Sequence, residues 1–195
     1  MTVTINASTS TGLVQTADLS GALALQANGT TKFTVGSTGA YGQLVSGTAV
    51  ASTSGTSVDF TGIPSWAKRI TLMYSGVSTT GSLMLIQLGS GSITTTGYLS
   101  GSQLQSGTAV NFASSTSGFY VYFNTATSTL HGSMTFCNIT GNTWVGNGYF
   151  YMSSTFATTS AGSITLSGSL DRIRTTSVNG TDTFDAGTIN ILYEG

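Results

Sequence analysis

Apolar and polar residues alternate along this chain with a period of two, in short stretches separated by Gly, Asn and Ser. No window repeats apolar positions at helical spacing with good helix formers. The clearest stretches are 68–77 (KRITLMYSGV), 82–88 (SLMLIQL), 119–124 (FYVYFN), 134–139, 149–153, 163–170, 171–178 and 188–193. They are rich in β-branched and aromatic residues, and the gaps hold residues that accept positive φ or make side-chain turns. About ten strands at this spacing predict an all-β, antiparallel β-sandwich or jelly-roll-like domain.

Two stretches break the alternation. In 82–88 and in 119–124 both faces are apolar: Leu83 and Leu85 oppose Met84, Ile86 and Leu88, and Phe119, Val121 and Phe123 oppose Tyr120 and Tyr122. A lone sandwich wets its outward face, so a covering is expected there, from a second subunit ahead of a loop.

Residues 1–42 differ from the rest. Their 18–39 segment holds a run of small residues, an Asn28-Gly29 turn signal, one apolar strand at 32–35 and a Gly-rich exit, too little to build its own core. The domain organisation expected is therefore an N-terminal arm or attachment segment, 1–42, followed by the sandwich, 43–195. One echo crosses the sandwich: QLVSGTAV at 43–50 and QLQSGTAV at 103–110. It is read either as a mark of duplicated halves or as shared turn chemistry in a biased composition.

Composition sharpens the picture. Only 6% of the 195 residues are charged, with five basic and six acidic side chains, while Ser, Thr and Gly make up nearly half of the chain. Strand edges are commonly blunted with Lys, Pro or inward charge. With a single Pro and two Lys, these edges need another cover, and a second copy of the chain is the simplest. Tyr, Phe and Trp reach 10%, so the core is expected to be aromatic. Five dispersed basic residues are too few to track a run of phosphates or to hold an anionic bilayer, so neither nucleic acid nor membrane is an expected partner. The opening MTVTINASTSTG has no basic n-region and no apolar h-region, which predicts a chain made in the cytoplasm without a Sec signal.

Candidate chemistry is sparse. Cys137 is the only cysteine and His131 the only histidine, so no intrachain disulfide, no four-ligand zinc site and no cofactor site is expected; Cys137 reads as a buried inert thiol and His131 as structural. Asp182 and Asp185 are the closest pair of carboxylates, at a spacing that matches no calcium loop, and Asx-type turns are the plainer reading. Arg172 and Arg174 share a strand face, which positions them to meet Asp59 or Glu194 across an interface or else to form a solvated patch. Trp66, just after Pro64, is expected to pack inward. Trp144 lies in the polar run GNTWVGNGYFYM, near Asn142, Asn147 and Tyr149. A displayed ring with amide side chains beside it is how shallow glycan or receptor contacts are made, and these four residues are the candidate contact; the alternative is a ring folded back on the sandwich.

Three stretches, DLSGALALQANGTTKFTVGSTG (18–39), SVDFTGIPSWAKRITLMYSGVSTTG (57–81) and SGSLDRIRTTSVNGTDTFDAGTINILYEG (167–195), resemble virion structural proteins of tailed bacteriophages, particularly fibre and surface proteins of aquatic phages. They span roughly 40% of the chain. The resemblance implies a homotrimeric, non-enzymatic particle component with a jelly-roll-like C-terminal domain, exposed on the virion surface and bound to other virion proteins through its arm. It transfers no catalytic or binding residue. A short trimeric tail fibre that meets a host glycan or protein is the first functional expectation. A capsid decoration protein that cements the head shell is the alternative, and a glycan-degrading enzyme acting through Asp182 and Asp185 is a distant third.

Overall fold

The computed structural model describes residues 23–27, 30–35, 44–81, 83–122, 126–153 and 156–195. The chain divides into two compact units, Met1–Gly42 and Gln43–Gly195. In the first, β1 (Leu23–Ala27) and β2 (Thr30–Val35) form an antiparallel hairpin with Leu25 opposite Phe33. The expected strand at 32–35 thus belongs to a longer one, and it has a partner that the small residues of LALQA concealed. Asn28-Gly29, Ser82, Phe123, Asn124 and the remainder of the arm lie outside the described residues.

The second unit is all-β, with no helix among the described residues. Its strands are β3 (Leu44–Ser46), β4 (Val50–Ala51), β5 (Ser57–Thr61), β6 (Arg69–Thr79), β7 (Leu83–Ser90), β8 (Ser92–Ile93) and β9 (Leu99–Ser106). There follow β10 (Ala109–Ser115), β11 (Phe119–Tyr122), β12 (Leu130–Thr140), β13 (Thr143–Ser153), β14 (Phe156–Thr165), β15 (Arg172–Ser177) and β16 (Phe184–Glu194). They form a nine-stranded sheet in the order β10-β9-β14-β13-β12-β6-β16-β3, with β4 also on β16, and a five-stranded sheet β11-β7-β15-β5, with β8 on β7. All pairings are antiparallel.

Period-two alternation aims one face of each sheet at a shared core, giving a sandwich-like unit. Ile70, Leu72 and Tyr74 of β6, Met134 and Phe136 of β12, and Trp144 and Phe150 of β13 face Phe60, Ile86, Leu88, Phe119 and Ile173 of the smaller sheet. The centre is aromatic, as the composition predicts: Phe119 meets Phe136 edge-on at 5.0 Å and Tyr98 at 5.5 Å, and Tyr74 meets Phe150 at 5.5 Å. Room for these rings comes from Gly146, where a Cβ would lie 2.7 Å from the Phe136 ring and 3.0 Å from Phe119. Strands β6 and β16 shift register together where Gly76 and Gly187 take φ of 65° and 94°. A Cβ on Gly187 would strike the Gly76 backbone at 2.5 Å, so glycine is required where the sheet bends.

Serine does the work of strand pairing at one edge. The outward N–H groups of Tyr120 and Tyr122 on β11 donate to Ser100 Oγ (2.8 Å) and Ser102 Oγ (3.1 Å) of the facing sheet, and Ser160 Oγ donates to the Tyr120 carbonyl (2.5 Å). All three serines are buried. The second-face burial expected to need a partner is reached within the chain: Leu85 and Tyr120 are 4% and 7% exposed, although both lie outside the core cluster.

Two strand expectations need correction. The strand expected at 163–170 ends at Thr165, and Leu166 and Leu170 reach the core from a loop, because apolar character records burial and not ladder membership. The β9–β10 hairpin was hidden because its buried positions Ser100 and Ser102 are polar, and the apolar Val110 and Phe112 point to solvent.

Two phenols stitch the sandwich. Tyr74 Oη pairs with Thr175 Oγ1 (2.8 Å), joining the sheets, while Tyr98 Oη accepts from Leu88 N–H (2.7 Å) and lies 3.0 Å from the Thr94 carbonyl. Burial pushes both phenols well above the ordinary tyrosine value. The unfolded chain therefore releases these protons from about pH 10 while the folded chain keeps them, so stability holds through neutral pH and falls as pH rises past about 10. Urea midpoints from pH 7 to 11 should show this fall, and Tyr98→Phe should flatten it. An equal alkaline loss in the variant would remove the assignment for Tyr98.

Candidate functional site

Nine of the charged residues belong to the second unit, and they are segregated. Five adjacent strands, β10, β9, β14, β13 and β12, contain no Asp, Glu, Lys or Arg. Their inward positions are core, and their outward positions make a neutral, hydroxyl- and amide-bearing face. Register fixes its rows: Phe112, Gln103, Thr159, Tyr149 and Ser133 are successive cross-strand partners, as are Val110, Gln105, Ala157, Tyr151 and His131. At about 4.8 Å per strand Phe112 and Tyr149 stand about 14 Å apart, and Tyr151 lies about 6.5 Å along β13 from Tyr149. Phe112 is 72% exposed, Tyr149 63% and Tyr151 50%. Beside them Leu99, Val145 and Ala161 rim a shallow depression floored by Gly101 and Gly162.

Of the four sequence candidates the structure brings Asn147 and Tyr149 to this face, two residues apart on β13. Trp144 is not displayed. It is 4% exposed and belongs to the core cluster, because residues 144, 146, 150 and 152 are the inward set of β13 and 145, 147, 149 and 151 the outward set. The ring folded back on the sandwich is the reading that holds. Asn142 sits in the β12–β13 turn, its carbonyl accepting from Leu166 N–H (3.0 Å), and shares with Trp144 a crevice of about 30 Å³, room for one water. Sequence reasoning missed Tyr151 and Phe112. The Tyr149-x-Tyr151 spacing was a legible signal for the first; nothing local marked the second.

The other candidates are structural. Arg174 and Asp59 form a bidentate pair at 2.7 Å within the chain, directly across β15 and β5, and Glu194 pairs with Arg69; neither spans an interface as expected. Arg172 binds Asp171, holding its carboxyl below the usual range, and Asp171 also accepts from Gly91 N–H (3.1 Å). The Asx-type turn of this loop is made by Asn179 rather than by the aspartates as expected: its Oδ1 accepts from the Thr181 and Asp182 N–H groups, while Asp185 lies on β16 and accepts from Ser78 Oγ. Cys137 is half-buried on the outward side of β12, not buried, since Phe136 takes the inward position. His131 Nδ1 accepts from Gly76 N–H (3.3 Å). Trp66 packs on the core only in part.

Among the described residues no three His, Cys, Asp or Glu side chains stand together to hold a metal. In a polar groove over the smaller sheet, lined by Ser57, Gln87, Arg174, Thr176 and Asn179, Gln87 donates to the Ser117 carbonyl (2.9 Å) and Thr176 to that of Thr56 (2.8 Å), and Arg174 is held by Asp59. The neutral face of the larger sheet is the candidate site. No family model matches the chain, and neither a curated protein nor a solved structure matches it.

Proposed function

We propose that this chain is a non-enzymatic surface protein of a tailed-phage particle, a short homotrimeric tail fibre whose jelly-roll-like unit meets the host and whose N-terminal segment attaches to other virion proteins. The observation that carries the contact role is the charge-free face bearing Phe112, Tyr149 and Tyr151. Exposed rings flanked by Gln103, Gln105, Asn147 and Thr159 suit a neutral glycan: rings stack on the apolar faces of sugars, and amides and hydroxyls bond their hydroxyl groups. A charge-free surface imposes no ionic selection, so binding should persist at high salt.

The test uses the full chain. Adsorption to host cells, or to a panel of neutral polysaccharides, should fall at least tenfold in Tyr149→Ala with Tyr151→Ala, while the thermal midpoint stays unchanged because both rings lie outside the core. Undiminished adsorption would remove this face from the function. Copy number per purified particle, measured by quantitative mass spectrometry, addresses the fibre reading separately. A number approaching that of the major shell subunit would replace the fibre by a decoration protein.

A further inference from the structure

The sandwich has four sheet edges, and they are treated differently. At one edge of the larger sheet β3 and β4 are three and two residues long, with Gly47 between them bonded to the Ile191 carbonyl (2.7 Å). On the smaller sheet β5 carries Asp59 and runs out toward Pro64, and β11 is capped by Ser100, Ser102 and Ser160. These are recognised ways of blocking strand addition. The fourth edge, β10, has none of them. Its sequence AVNFASS has no charge and no proline, and it pairs with β9 through seven consecutive partners, Ala109↔Ser106 to Ser115↔Ser100, without a register shift. Among the described residues no strand pairs on its other side, and Ala109, Val110, Asn111, Phe112 and Ser114 are all exposed.

We infer that β10 is an assembly edge at which a second copy of this chain adds its own β10, antiparallel, about a two-fold axis at Phe112, continuing the larger sheet from one chain into the next. The register supplies the bonds. The two-residue turn Gly107-Thr108 makes Ser106 and Ala109 the closing hydrogen-bonded pair. Alternation then turns the N–H and C=O groups of Val110, Phe112 and Ser114 away from β9. Centred on Phe112, the pair sets Phe112 against its copy and Val110 against Ser114 in both directions, so every one of these groups finds a partner. Side chains favour self-pairing over a foreign strand. A charged strand would oppose like charges across a two-fold axis, whereas this one opposes none and sets two exposed phenylalanines opposite each other. A closed trimer cannot form through a two-fold contact, so the pair either is a dimer or joins two larger assemblies. The contact takes up Phe112 at the margin of the neutral face and leaves Tyr149 and Tyr151, the residues of the adsorption test, free to meet a ligand.

Light scattering of the full chain at micromolar concentration should give an even number of chains, and Phe112→Lys should halve that mass by placing two ammonium groups opposite each other. Val110→Pro, which removes an outward N–H without touching the β9 ladder, should also halve it. In a Cys137→Ser background, Phe112→Cys should form a disulfide-linked dimer on air oxidation, since directly opposed residues lie within disulfide reach, while Tyr149→Cys should not. A wild-type particle with an odd number of chains, an unchanged mass in both edge variants, or a Phe112→Cys protein that fails to cross-link would each overturn the pairing. Circular dichroism of each variant checks the fold, and if Phe112→Lys unfolds, the proline variant and the cross-link decide.

Discussion

Phe119→Ala should lower the unfolding free energy by about 3–5 kcal/mol, the largest single loss expected in the molecule. Phe119 is fully buried, and its ring touches Phe136 from the opposite sheet and Tyr98 from the loop before β9. Truncation removes both edge-to-face contacts and leaves a hole bordered by the fully buried Phe136 ring and by Gly146, which has no side chain to refill it. Gly146→Val probes the same spot from the other side and should cost about 1–3 kcal/mol by overpacking. Urea denaturation with the slope held constant reads both. A loss under about 1 kcal/mol for Phe119→Ala would mean that the two sheets do not meet through this ring.

Ser102→Ala should cost about 1–3 kcal/mol, far more than the same change at exposed Ser114, which should stay within about 0.5 kcal/mol. Ser102 is 1% exposed; its Oγ accepts from Tyr122 N–H and donates to the Thr159 carbonyl at 2.8 Å. Removing it strands a part-buried donor on a strand that has no further pairing strand among the described residues. Ser160→Ala does the equivalent to the Tyr120 carbonyl. The distinguishing measurement is amide exchange: Tyr122 should lose protection in Ser102→Ala while β6 amides keep theirs. Uniform loss across both sheets would point to general unfolding and would sink the idea that serine caps this edge.

How much was legible varied with the kind of residue. Strands β6, β7, β12, β15 and β16 could be located from their β-branched and aromatic runs, because those residues mark half-buried pleated surface. Strand β9 could not, and of β14 only its last three residues, 163–165, fell within an expected strand. The inward Ser100, Ser102, Thr158 and Ser160 of these two strands are buried for hydrogen bonding, and hydropathy treats such positions as surface. The candidate contact face was half legible: Tyr149 and Asn147 were found in a polar aromatic run, but the strand phase that turns Trp144 inward was fixed only by pairing with β12 and β14. A shift of one residue in that phase would exchange the two faces.

The repeated segment SGTAV separates the two levels most clearly. At 106–110 it is a tight hairpin turn, with Gly107 at φ 57° and Ala109 opposite Ser106. At 46–50 it interrupts an edge instead, with Ser46 and Val50 both paired to β16 and Gly47 so close to Ile191 that a Cβ would lie 2.6 Å from its side chain. The sequence by itself determined the all-β class, the aromatic core and the scarcity of ionic chemistry, because period, ring content and charge are carried by each residue alone. Which SGTAV becomes a turn, which sheet edge is capped and which tyrosines face solvent were decided by tertiary structure, because each depends on the strand lying alongside, and that strand comes from a distant part of the chain.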